Sequence, residues 1–199
     1  MINVDSPRIA ILVFDEVEVL DFTGPLEVFS CVKDVAPDAD IQTYTLALKE
    51  GKIACRSGLD IIPNYTLENR PGFNILLIPG GMGVRKLFSD EAMLQKINTL
   101  IRSAKLVLSV CTGSLLLAKL GFMKGKKVTT HHTCFHDLAR LEPGCIIRTS
   151  DRFCDEGGII TAGGISAGID MSLHVVGQLL GKEIRSAVEK EMEWMQKHL

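Results

Sequence analysis

Residues 105–121 read KLVLSVCTGSLLLAKLG: an apolar run of strand type, Leu106 to Val110, gives way to helical spacing from Thr112 to Leu120, and Cys111 stands at the joint. In open α/β sheets, reacting groups collect beyond the carboxyl ends of the strands, so this is where ligands bind. A nucleophile on so sharp a strand-to-helix turn needs small neighbours two positions to either side, as G-x-S-x-G provides in serine hydrolases. Ser109 and Gly113 fill those places. The helix that follows points free N–H groups and a positive dipole end at the sulfur, which predicts a thiol pKa below its usual value of about 8.5. Cysteine can also act as a small buried hydrophobe, and its place at the elbow favours the nucleophile.

Outward from this joint the same alternation repeats. Arg8 to Phe14, Ile41 to Leu48, Asn74 to Ile78, Val128 to Thr130 and Ile159 to Thr161 read as strands. Cys55 to Ile62 reads as a small antiparallel excursion around Ser57-Gly58. Helices are expected from Gly24-Pro25 onward, over Asp90 to Ser103, around Phe135 to Leu141, over Asp170 to Leu180 and over Ile184 to His198. Pro25 is then read at a helix opening, where its missing N–H costs nothing. Apolar strands alternating with helices predict an α/β fold with a mostly parallel sheet covered on both faces.

The 199 residues, 46% hydrophobic and 23% charged, suit one compact domain over residues 1–199. The formal net charge is −2, and lysines and arginines are scattered among acids, which speaks against a nucleic-acid partner. No apolar run reaches the ~20 residues of a membrane helix, and the N-terminus lacks a secretory pattern, so a cytoplasmic location with no membrane partner is expected. Six cysteines, at 31, 55, 111, 134, 145 and 154, include no CxxC pair and fit reduced thiols.

Three other features fall on the same rim. Pro79, Gly80 and Gly81 end a strand, and backbone N–H groups there could face an oxyanion; Gly81 and Thr112 are the expected donors, with a plain turn as the other reading. Asp21, placed after the first strand and before its helix, is either a general acid or base for Cys111 or a helix cap. The cluster THHTCFH, His131, His132, Cys134 and His136, has zinc-binding residue types but no common zinc spacing. The reading favoured is a single histidine lining the Cys111 pocket, with no metal and no cofactor; His174 and His198 are read as ordinary helix residues.

The segments ILVFDEVEVLDFTGPLEVF, LLIPGGMG, LVLSVCTGSLLLAKLG, GKKVTTHH and GGIITAGGISAGIDMSL, in this order, resemble the ThiJ/PfpI superfamily over nearly the whole chain. That resemblance implies a flavodoxin-like three-layer sandwich with a glutamine-amidotransferase-type cysteine elbow, and a homodimer. LDFTGP, SVCTGS and TTH are most similar to the isocyanide hydratase branch, whose members convert an isocyanide and water to an N-substituted formamide. The likeness implies Cys111 as nucleophile on a small-molecule substrate, Asp21 as its acidic partner, Thr112 as support beside it, Gly80 and Gly81 as the facing loop, and His131 as a pocket residue. Thr112 replaces the histidine of protease-like members, Asp21 replaces the glutamate of glyoxal-acting ones, and the chain ends earlier than the hydratases do. The competing class is a ligand or oxidation sensor, because AraC-type regulators begin with a similar domain.

Overall fold

A computed structural model describes Val4 and residues 6–194. Its strands are β1 (Arg8–Val13), β2 (Gln42–Ala47), β3 (Ile53–Ala54), β4 (Asp60–Ile61), β5 (Tyr65–Thr66), β6 (Ile75–Ile78), β7 (Leu106–Val110), β8 (Lys127–Val128), β9 (Ile146–Ile147), β10 (Phe153–Asp155) and β11 (Ile159–Ala162). Its helices are α1 (Val19–Val35), α2 (Gly83–Leu87), α3 (Glu91–Ser103), α4 (Gly113–Lys119), α5 (Phe135–Leu141), α6 (Ala167–Leu180) and α7 (Lys182–Glu191).

One sheet runs β10-β11-β7-β6-β1-β2-β5, parallel throughout except for β10. The central strands β1, β6 and β7 are buried almost end to end, as strands covered on both faces must be. Helices α1, α6 and α7 pack on one another, and α2 packs with α3 and α4, α4 also with α5. This is the three-layer α/β sandwich that the alternation predicts. Two small ladders lie outside the sheet: antiparallel β3-β4, as expected around Ser57-Gly58, and parallel β8-β9.

Several elements depart from the expectation. Helix α1 begins at Val19, so Asp21 lies in its first turn and Pro25 lies inside it. The apolar run from Val19 to Phe22 is already helical, and Pro25 merely leaves the Asp21 carbonyl without a helical donor. Strands β5, β9 and β10 and the helix α2 are too short to show periodicity. The apolar side chains Met171, Leu173, Val175 and Val176 of α6 are buried within the chain. The C-terminal part of the expected last helix, including His198, lies outside the described residues. Among the described residues, no helix is long and apolar enough to cross a membrane, and the six cysteines are free thiols.

Candidate active site

Cys111 sits at the carboxyl end of β7 with φ +57°, in the left-handed region that non-glycine residues seldom adopt. The surroundings hold it there. Its N–H donates to the carbonyls of Ala162 (3.1 Å) and Gly163 (3.0 Å), and its carbonyl accepts from Ser114 Oγ (3.0 Å) and Thr130 Oγ1 (2.9 Å). Four bonds outweigh a strain of ~1–3 kcal/mol. Gly113 is required by close approach: a Cβ there would run into the Ile78 carbonyl. Ser109 and Gly113 are thus the small pair that the turn needs.

Asp21 reaches the same point from α1 and is fully buried. Its Oδ2 accepts from the Gly80 N–H at 3.0 Å, and Gly81 N–H donates to Thr112 Oγ1 at 3.0 Å. The β1–α1 loop is stitched to the glycine loop by Glu18 N–H donating to the Gly80 carbonyl (3.0 Å) and by a Val17–Gly81 bridge. Gly80 has to be glycine, because a Cβ would lie 2.6 Å from Thr112 N and Oγ1 and 2.9 Å from Asp21 Oδ2. These contacts correct the expected oxyanion role of Gly80 and Gly81. Both N–H groups are already committed, one to Asp21 and one to Thr112, so the glycine loop positions the acid and the threonine.

The electrostatics also differ from the expectation. Burial, and then the Asp21 carboxylate, push the Cys111 thiol well above its ordinary range; the Thr112 N–H offsets only part of this. The helix expected to lower it is short, Gly113–Lys119. Burial likewise raises the Asp21 carboxyl from 3.8 to about 7, against the Gly80 N–H, the Cys111 thiol and the Ile165 amide, which draw it down. Asp21 Oδ1 is buried and makes no hydrogen bond of full geometry among the described residues; the Cys111 thiol and the Ile165 amide act on the carboxyl only loosely. A carboxyl that titrates near neutrality beside a thiol, with one oxygen uncommitted, is equipped to take and return a proton.

Cys111 and Thr112 open onto a cleft of about 440 Å³ that also holds His131, Gly81, Glu18 and Ile165. His131 enters it from the turn before α5. Its Nδ1 pairs with Thr133 Oγ1 at 2.8 Å, its ring stacks on His132 at 4.4 Å between centroids and lies against the Gly164 backbone, and burial lowers its pKa. Cys134 is in the cleft as well. No three His, Cys, Asp or Glu side chains among the described residues converge as metal ligands. His174, far along α6, pairs with Asp155 at 2.8 Å.

Sequence reasoning missed Ile165, Arg56 and Arg85. Ile165, φ +55°, is β-branched in the left-handed region, and nothing in AGGISAG distinguishes it from its glycine neighbours. Arg56 arrives from the β3–β4 turn and Arg85 from α2, elements whose placement beside β7 depends on the whole sheet.

Comparison with known proteins shows the family of the chain. The chain is 35% identical over 187 residues to the isonitrile hydratase of Pseudomonas putida, an alignment covering 94% of this chain and 78% of the relative. It is 23% identical to the HTH-type transcriptional regulator GbdR of Pseudomonas aeruginosa, of which this chain spans about half, 51%. Among solved structures, a ThiJ/PfpI family protein from Pseudomonas syringae superposes with a TM-score of 0.85 at 29% identity, covering 97% of this chain and 77% of that one. The DJ-1/PfpI family pattern matches residues 7–178, and the chain belongs to that family.

Proposed function

We propose that this protein is a cysteine-dependent hydratase that adds water to the terminal carbon of a small isonitrile (isocyanide), with Cys111 as nucleophile and Asp21 as proton carrier. The observation that carries this reading is the uncommitted, buried Oδ1 of Asp21 beside a thiol that burial holds protonated. A buried thiol of this kind needs a partner to accept its proton at the moment of attack. The likeness to isonitrile hydratase supports the reaction class.

The steps balance as follows. Asp21 takes the thiol proton as Sγ bonds to the terminal carbon, and it returns that proton to the same carbon, leaving a thioimidate. Asp21 then deprotonates a water that adds to this carbon. The C–S bond breaks, the sulfur recovers the proton, and the released imidic acid tautomerises to an N-substituted formamide. One water is consumed and the enzyme is unchanged. Thr112 supports the thiol through its backbone N–H, while Gly80 and Gly81 hold Asp21 and Thr112. No metal or cofactor is required by these steps. A single 1–199 domain would suffice for them, acting on a small molecule.

The test is steady-state turnover of a small aryl isocyanide by the purified protein beside Cys111→Ala and Asp21→Asn. Loss in both variants supports the reading, and an inactive wild type removes it. The likeness to GbdR favours a second reading, a ligand or oxidation sensor. Quantitative, reversible peroxide oxidation of Cys111 that changes partner binding, in a protein inactive on isonitriles, would establish that reading instead.

A further inference from the structure

The cleft that exposes Cys111 holds two arginines that a neutral isonitrile does not need. Arg56 and Arg85 line it with Glu18; Asp137 pairs with Arg85 from beside the cleft, and Asp21 is buried next to Cys111. Each is oriented. Arg56 N–H donates to the Val17 carbonyl at 3.0 Å, fixing its backbone, and its Nη1 donates to Glu18 at 2.7 Å. Arg85 Nη2 donates to Asp137 at 2.8 Å and to Cys134 Sγ at 3.5 Å.

Neither pairing consumes its arginine. A guanidinium has five donors in a planar fork, and the side-chain hydrogen bonds of these two among the described residues use only Nη1 of Arg56 and Nη2 of Arg85. Both side chains remain substantially exposed, 57% and 42%, so their ion pairs contribute little to stability. Arg56 and His131 line the same cleft. Two half-used forks facing one small cavity match the bidentate geometry of a carboxylate.

We propose that Arg56 and Arg85 form an anion subsite, and that the preferred ligand of this cleft is a small molecule bearing a carboxylate. On the hydratase reading, which this inference deepens, the substrate class is an isocyano carboxylate: its terminal carbon meets Cys111 and its carboxylate meets the two guanidinium groups. The charge then sets orientation as well as affinity.

The experiment separates this subsite from the reaction. Cys111 is alkylated at pH 7.5 with iodoacetate and, in parallel, with iodoacetamide, reagents of similar size that differ in charge, and labelling is read by mass spectrometry of the Cys111 peptide. The iodoacetate-to-iodoacetamide rate ratio should exceed that of free cysteine by about tenfold at low salt. It should fall towards the free-cysteine value in Arg56→Gln and Arg85→Gln and when salt is raised to ~0.5 M. A wild-type ratio equal to that of free cysteine, or variants that leave the ratio unchanged, overturns the proposal. Should neither reagent label Cys111, calorimetric dissociation constants for N-formylglycine and its uncharged amide decide the same question: equal values overturn it, and at least tenfold tighter binding of the acid, lost in the arginine variants, sustains it. Turnover of isocyanoacetate against its methyl ester then tests the reaction. Inactivity on both removes the hydratase reading, while the alkylation ratio still decides the anion subsite.

Discussion

The two ends of the sheet each hold a hydrogen-bonded aspartate, one fully buried and one partly exposed, and the two are handled in opposite ways. At the carboxyl end, Asp21 receives one hydrogen bond of full geometry, from the Gly80 N–H, with the Cys111 thiol and the Ile165 amide acting on it more loosely, and burial still raises it to about 7. At the amino end of β11, burial also pushes Asp155 upward, but hydrogen bonds from His174, the Gly157 N–H and Gln178 together hold it below its ordinary value. The balance between desolvation and the donors supplied therefore sets a carboxyl's behaviour: desolvation wins at the deeply buried Asp21, and the donors win at the more open Asp155. An acid whose donors outweigh its desolvation is part of the framework, and one whose desolvation wins beside a thiol is available for proton transfer.

The largest effect expected from this contrast is on turnover. Asp21→Asn should lower kcat at least ~100-fold, whereas Asp155→Asn should change it less than about threefold. The pH profile sharpens the point. Cys111 and Asp21 act as a coupled pair, and the working form carries one proton between them. The wild-type kcat/KM should rise about tenfold per pH unit below about 7 and level above it. The Asn variant should lose that limb.

Next is the glycine that holds the acid. Gly80→Ala brings a Cβ within 2.6 Å of Thr112 and 2.9 Å of Asp21. It should cost ~10-fold or more in kcat/KM and ~1–3 kcal/mol in stability by urea denaturation. A variant with unaltered kinetics would break the link between the loop and the acid.

Stability should separate the two aspartates in sign. Between pH 4 and pH 7 the folded protein keeps a proton on Asp21 that the unfolded chain has lost, so stability falls as pH rises through that window. Asp21→Asn removes the penalty and should gain on the wild type by on the order of 2–4 kcal/mol between pH 4 and pH 8. Asp155 contributes stability that is present above its unfolded value and lost as pH falls through its lowered folded one. Asp155→Asn should then cost about 1 kcal/mol at pH 7, with the difference closing as pH falls below 3. The smallest effect is at the amino-end turn. Gly157→Ala meets no atom within 4 Å and is strained only by φ +80°, so it should cost ~1 kcal/mol with kinetics unchanged.

Much of this arrangement was legible beforehand. LVLSV followed by CTGSLLLAKL identifies an elbow because a fully buried strand and a helix differ in period, and Gly113 is demanded by the Ile78 carbonyl. Its place after the first strand already put Asp21 on the rim as an acid or base for Cys111 or a helix cap, and the family likeness favoured the first, although the local reading placed it before its helix. The lowered thiol pKa and a free Gly81 N–H were read from local geometry, and burial around the sulfur and the Thr112 hydroxyl oppose them, because both depend on what fills the space around them. Arg56 was unreadable as a cleft residue, lying in a turn between two-residue strands with no periodicity to orient it.

By itself the sequence determined the order of the longer strands and helices, the elbow at Cys111 and the family likeness, since periodicity and the steric needs of a turn are written in neighbouring residues. Only the tertiary structure decided which N–H groups were already spent, that Asp21 and Cys111 share a desolvated corner, and that two arginines from distant segments face it. Those are properties of space enclosed by several elements at once, and solvent exclusion and charge proximity have no local signature along a chain.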